Sequence, residues 1–215
     1  MMNMSRGLCK LQISKTYKII KRILDFILST ISLVILAVPL LIVAIVIYID
    51  DPGNVIFSQE RVGYAGKLFR LYKFRSMKMS TPKYLATSEV ANPDEYITKI
   101  GHIIRKYSID ELPQLFNVFL GDMSIVGPRP LIANEKDIHD MRMQYGVYSV
   151  KPGITGLAQI NGRDTVSPVE KVEWDRKYLD SISLITDIKI VLETAFKVVR
   201  GRDVVEGYHF DEQER

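Results

Sequence analysis

The 215-residue chain is 47% hydrophobic and 25% charged, with a formal net charge of +4. That balance suffices for a buried core and excludes wholesale disorder, while thirteen glycines and nine prolines exclude a collagen-like or low-complexity chain. A single cysteine, Cys9, excludes an intramolecular disulfide framework and a cysteine-cluster metal site, and is compatible with a reducing compartment.

The charge is unevenly spread. Residues 1–83 hold thirteen Lys/Arg against four Asp/Glu, and residues 84–215 hold sixteen against twenty-one. A basic half suits nucleic acid or an anionic membrane surface. This half also contains the long apolar run, and no nucleic-acid recognition motif accompanies it, so the membrane is the preferred partner and nucleic acid is not.

From Phe26 to Ile49 the chain is uncharged for twenty-four residues, about 36 Å as a helix and enough to cross a hydrocarbon core of about 30 Å. The run is too long, and too far from the start, for a cleaved signal peptide. Pro39 interrupts it, and cations flank both sides: Arg6, Lys10, Lys15, Lys18, Lys21 and Arg22 before, and Arg61, Lys67, Arg70, Lys73, Arg75, Lys78 and Lys83 after. The positive-inside bias therefore draws both ends to the cytoplasm, which favours a hairpin re-entering at Pro39. A single span with a tolerated kink is the alternative. Asp25 is expected to pair with Lys21 or Arg22 one turn back.

Asp51-Pro-Gly-Asn54 ends the membrane helix. Lys67–Phe74 reads as a strand, and residues 79–98 as a polar surface loop. Helical patterns follow near 99–107, 114–120, 132–144, 168–181 and 184–200. The last places Ile188, Val191, Leu192, Ala195 and Val199 on one face. The expected fold is mainly α with a little β. It comprises a basic N-terminus and membrane-embedded helix over 1–50, a compact cytoplasmic domain over 51–200 with interfacial amphipathic helices, and a polar tail over 201–215. Most apolar helix residues should pack in the core, with Trp174, Tyr178 and Leu179 as candidates for the interface.

Familiar cofactor loops and hydrolase patterns are missing, and three scattered histidines suggest no metal cluster. What remains is Asp110-Glu111. Ser108 and Glu111 match a capping box, which would make the acids a simple helix start. Pro113 shifts that register, so the helix could instead begin at Leu112 or Pro113. Either way the acids lie near a helix N-terminus, where carboxylates and phosphate are both favoured. Adjacent helical residues point about 100° apart, so the two would serve unequal roles. An ionised Asp can attack phosphorus only where nearby cations offset the charge, and a divalent ion would help. Lys73, Arg75, Arg105 and Arg129 are the candidates, each with the alternative of a solvated charge. Arg129, between two prolines, is the most constrained. Lys151–Arg163 is a turn-rich loop that either wraps a ligand or reverses the chain.

Five blocks occur in order: Gln59-Glu-Arg61-Val-Gly63 with Gly66-Lys67, Lys73-Phe-Arg-Ser-Met77, Asp110-Glu-Leu-Pro-Gln114, Gly121-Asp-Met-Ser-Ile-Val-Gly-Pro-Arg-Pro130 and Pro152-Gly-Ile-Thr-Gly-Leu-Ala-Gln159. Together, over residues 18–200, they resemble the bacterial sugar transferases, the monotopic polyprenol-phosphate phosphoglycosyl transferases. The resemblance implies transfer of a sugar 1-phosphate from a UDP-sugar to undecaprenyl phosphate at the cytoplasmic face of the bacterial inner membrane. UMP is released and lipid-linked glycan assembly begins. Asp110 would be the nucleophile, forming a covalent phosphosugar. Glu111 would assist in acid–base work or in organising Mg²⁺, with Asp110 and Glu111 as metal ligands. Arg105 and Arg129 would contact phosphate or nucleotide, beside Lys73 and Arg75. A re-entrant membrane helix is also implied.

Two residues depart from the pattern. Val38 precedes Pro39 where Ser is frequent, and His102 stands where Arg is frequent. The chain resembles the minimal catalytic form. The sugar, the pathway and any homo-oligomer or association with downstream glycosyltransferases stay open. A nucleotide-sugar hydrolase, a glycosyltransferase and a membrane-tethered scaffold binding anionic lipid are the competing readings.

Overall fold

The computed structural model describes residues 13–81, 93–162 and 166–200. Arg6, Cys9, Lys10, Lys83, Arg163, the tail 201–215 and the side chain of Val199 lie outside them. The described chain is mainly helical, with two small sheets.

Helix α1 runs Lys15–Asp50 with Pro39 inside it, one continuous helical element where the sequence suggested two arms. Proline removes a single N–H from the ladder, and the neighbouring turns suffice to carry the helix on. The middle of α1 is bare: Val34, Ile35 and Val38 are 72%, 70% and 67% exposed. Both ends are packed on the domain. Near the start, Lys21 Nζ lies 2.7 Å from Asp187, and Arg22 donates to the carbonyls of Val118 (2.7 Å) and Phe119 (2.9 Å). Asp25, buried, accepts from the backbone N–H of Ile125 at 3.0 Å. The expected Asp25–Lys21 or Asp25–Arg22 pairing is thus replaced by partners from the domain. A buried carboxylate gains more from a fixed backbone donor than a headgroup-level pair would supply. At the other end, Ile47 is buried with Phe74 and Ile104, and Asp50 accepts from the N–H of Ile100 at 3.1 Å.

Strands β1 (Ile56–Val62) and β2 (Leu68–Phe74) form an antiparallel hairpin. The turn between them uses positive φ at Ala65 and Gly66, the twist that a short hairpin connection requires. Directly paired residues share a face, so Gln59 and Arg61 stand on the same side as Leu71 and Phe69. β2 was legible as a strand; β1 was not, because Gln59 and Arg61 occupy positions where an alternating pattern would show apolar residues.

Helices α2 (Pro93–Tyr96) and α3 (Lys99–Lys106) follow, so the second half of the expected 79–98 loop is partly helical. Thr98 caps α3, accepting from the N–H of Gly101 at 2.9 Å. Ser108 adopts left-handed backbone (φ 54°) and makes no side-chain cap. Of the two registers open from sequence, the Ser108/Glu111 capping box therefore does not form, and the later start, next to Pro113, is the nearer. A 3-10 turn, Ile109–Glu111, carries the acids instead, and α4 (Gln114–Leu120) starts after Pro113. A complete capping box does form at Ser167 and Glu170, opening the helix that begins at Pro168.

Strand β3 (Ser124–Val126) leads to α5 (Lys136–Gln144), then to β4 (Gly153–Thr155), which pairs parallel with β3. Helices α6 (Leu157–Ile160), α7 (Pro168–Asp180) and α8 (Leu184–Arg200) complete the domain. Tyr178 and Leu179 are 2% and 1% exposed, so both belong to the core and not to the interface proposed for them. Tyr178 is held there because its hydroxyl donates to Asp187 at 2.7 Å. Trp174 is half-buried under Lys177, whose ammonium lies 4.0 Å from the ring centroid.

Asn117, fully buried, joins α4 to β2. Its Nδ2 donates to the carbonyl of Arg70 (2.7 Å), and its Oδ1 accepts from the N–H of Tyr72 (3.1 Å). Asn117→Ala should cost about 2 kcal/mol or more through two backbone groups left without partners, measured as a shift in denaturant midpoint in detergent.

Candidate active site

The acids sit where three elements meet. The 3-10 turn supplies Asp110 and Glu111, β2 supplies Lys73, and the loop after β3 supplies Arg129. Asp110 and Glu111 are 8% and 7% exposed. Lys73 Nζ (3.1 Å) and Arg129 Nη2 (3.0 Å) both reach Oε1 of Glu111. A buried carboxylate costs several kcal/mol unless compensated, and here two cations share one oxygen. Burial pushes the Lys73 ammonium below the ordinary lysine range, against the pull of Glu111. Beside them lies a small cleft lined by Arg61, Leu71, Lys73, Gln114, Arg129 and Pro130.

Arg129 is fixed from behind. Gly153 approaches so closely that a Cβ there would lie 2.1 Å from the backbone nitrogen of Gly127, so the strand-like pairing of the two loops requires glycine. Gly127 donates to the carbonyl of Thr155 (2.8 Å) and Gly153 to that of Pro128 (2.9 Å). The turn-rich segment from Lys151 therefore seats the Gly-Pro-Arg-Pro loop. Arg142, 2% exposed, donates to the carbonyl of Arg129 at 2.8 Å and pairs with the buried Asp175 at 2.5 Å.

The sequence-assigned residues divide into two groups. Asp110, Glu111, Lys73 and Arg129 converge. Arg105, in the last turn of α3, donates from Nε to Ser76 Oγ at 2.7 Å. Arg75 is buried and committed to Asp51 at the end of α1, with Nη1 3.3 Å from Oδ2 and a second contact to the Asp51 carbonyl. These contacts fasten the end of α1 to the domain. Residues given no site role from sequence also contribute. Gln114 (2% exposed) and Arg61 line the cleft, and Arg142 with Asp175 supports it. The Arg61 position becomes visible once β1 is aligned opposite β2, which requires the hairpin register.

Among the described residues, no group of three or more His, Cys, Asp or Glu side chains is arranged to hold a metal. The donor set that exists is the adjacent pair Asp110 and Glu111. That suits Mg²⁺ only in its common mode, where one or two carboxylates are completed by substrate phosphate oxygens and water.

An apolar helix is thus joined to a helical domain that gathers two carboxylates under basic side chains. The chain belongs to the bacterial sugar transferase family, whose profile matches residues 16–201. It is 42% identical over 192 residues to the UDP-glucose:undecaprenyl-phosphate glucose-1-phosphate transferase of Escherichia coli (strain K12), covering 86% of this chain and 41% of that protein. It is 40% identical over 203 residues to the undecaprenyl-phosphate galactose phosphotransferase of Salmonella typhimurium, covering 88% and 42%. The chain thus spans about two fifths of the length of these two relatives. A Bacillus subtilis relative, the uncharacterized sugar transferase EpsL, is 40% identical over 191 residues, covering 89% of this chain and 93% of its own.

Asp175→Ala should destabilise the domain by about 3–5 kcal/mol, because it strands a buried guanidinium. Asp180→Ala, whose pairing with Arg176 is exposed at 3.9 Å, should stay within about 1 kcal/mol. Paired denaturant titrations compare the two.

Proposed function

We propose that the chain transfers a sugar 1-phosphate from a UDP-sugar to undecaprenyl phosphate through a covalent phosphosugar on Asp110. The observation that carries this reading is the buried Asp110-Glu111 pair at a cation-lined cleft, with Lys73 and Arg129 drawn onto Glu111. The Escherichia coli relative is named for UDP-glucose and undecaprenyl phosphate, and the Salmonella relative for undecaprenyl phosphate and galactose.

The chemistry follows from charge and solubility. The donor is water-soluble and the acceptor is held in lipid. A covalent step on Asp110 lets UMP depart before the acceptor phosphate arrives. Lys73 and Arg129 hold Glu111 in place and offset the negative charge that Asp110 must face as it meets a diphosphate. Glu111, kept ionised by these two cations, fixes their positive charge beside Asp110. A divalent ion bound by Asp110 and Glu111 together with donor oxygens would neutralise phosphate charge. The product, a lipid-linked diphosphate sugar, begins a surface glycan.

The same reading places the site at the cytoplasmic face of the membrane. Its support is that α1 is bare in the middle and fastened to one domain at both ends, through Arg22 and Asp25 on one side and Asp50 and Asp51 on the other. A helix entering and leaving the bilayer on one face satisfies both attachments; a full span would have to break one. Exposed Ile185, Ile188, Leu192 and Phe196 on α8 suit a helix resting on the lipid surface.

Incubation with a panel of UDP-sugars and undecaprenyl phosphate should release UMP, and Asp110→Asn should lower that release by at least about 10³-fold. Asp122→Asn should retain most of it. Full activity in Asp110→Asn, or UDP as the released nucleotide, would overturn the assignment.

A further inference from the structure

We propose that Arg61 is a donor-binding residue that takes the phosphate of the departing nucleotide, while Lys73 and Arg129 remain with Glu111 beside the nucleophile. This rests on the transferase reading above and gives a role to the Gln59-Glu-Arg61 segment.

Two pairings bring Arg61 to the cleft. The hairpin register sets it on the face shared with Gln59 and Leu71. The next residue, Val62, donates its backbone N–H to the carbonyl of Leu131 at 2.9 Å, so the end of β1 runs alongside Arg129 and Pro130. Arg61, Lys73 and Arg129 then line one cleft. One Arg61 nitrogen, Nη2, donates to Gln59 Oε1 at 2.7 Å, which steadies the guanidinium. Its Nε is buried without a hydrogen-bond partner among the described residues. A buried donor left unmade costs about 1–3 kcal/mol. The two guanidiniums also repel one another: burial first, and then Arg129, lowers Arg61 to about 10 against the pull of Glu135 and Glu111, and it is still protonated at neutral pH. An anion in the cleft would satisfy the donor and relieve the repulsion together.

The division of labour follows from what each cation already does. Lys73 and Arg129 lie 3.1 and 3.0 Å from Glu111, and moving either onto substrate would uncover a buried carboxylate. Among the described residues Arg61 makes no ion pair with a carboxylate, Glu135 and Glu111 acting on it only at longer range. In the first chemical step, a carboxylate oxygen of Asp110 bonds to the phosphorus that bears the sugar. The bond from that phosphorus to the bridging oxygen breaks, and its electron pair stays on the bridging oxygen. That oxygen leaves as a terminal oxygen of UMP, which departs one charge more negative than it was in the diester-like linkage. A guanidinium placed for that growing charge favours departure.

The test is titration of UMP into the full chain in detergent micelles, followed by calorimetry, with melting temperatures recorded without nucleotide. Arg61→Gln should raise the Kd for UMP at least tenfold and weaken inhibition by UMP to the same degree, with the nucleotide-free melting temperature unchanged. Arg61→Lys, which keeps a point charge but loses the planar donor set, should recover part of the affinity. If Arg61→Gln fails to fold, Arg61→Lys decides: a loss of threefold or more at an unchanged melting temperature supports the role. Wild-type UMP affinity in the folded variants would overturn it and leave the transferase reading standing. A wild-type chain that binds no UMP would overturn both.

Discussion

Buried polar contacts fasten α1 to the same domain at each end, and this constraint sets where everything else can be. At one end Asp25 must have a donor, because a carboxylate taken out of water is costly unless bonded; the N–H of Ile125 supplies it. Lys21 meets Asp187, which also accepts from Tyr17 and Tyr178 at 2.7 Å each. At the other end Arg75 holds Asp51 and the apolar cluster around Ile47 closes over the helix. Between these points lie the bare apolar turns around Pro39.

Helix α4 carries this constraint to the chemistry. Its C-terminal carbonyls receive Arg22, and Phe119 stacks on Phe26 of α1 with ring centroids 5.2 Å apart. Its middle residue Asn117 grips β2, the strand that bears Lys73. Its first residue, Gln114, lines the cleft directly after the Asp-Glu turn. One short helix therefore links anchor, cation and carboxylates. On the opposite wall, the close approach of Gly127 and Gly153 and the Arg142–Asp175 pair hold the backbone of Arg129. The cleft thus gathers Arg61, Lys73 and Arg129 around the carboxylate of Glu111, with Asp110 and Glu135 acting on the same cations.

Much of this was legible in the sequence. The apolar run, the second strand, the five helices α3, α4, α5, α7 and α8 and the convergence candidates Asp110, Glu111, Lys73 and Arg129 all carried local signals of period, charge or proline constraint. What escaped depended on long-range pairing. β1 hides behind inward polar residues whose purpose is visible only opposite β2. Asp25 found a partner one hundred positions away, which no one-turn spacing rule can indicate. Ser108 offered a capping pattern, yet its left-handed backbone turns the chain so that the acids ride a 3-10 turn. Tyr178 looked suited to an interface until the buried Asp187 supplied its hydroxyl with a partner.

The two attachments of α1 give the account its most direct test. Single cysteines would be placed at the exposed positions Lys15 and Asn54 in a Cys9→Ser background, and sealed inverted inner-membrane vesicles treated with a membrane-impermeant thiol reagent. Reaction at both positions without detergent is the expected result, since both flank a helix whose ends rest on one domain. Reaction at just one of them, with the other reached only after the vesicles are opened, would contradict it.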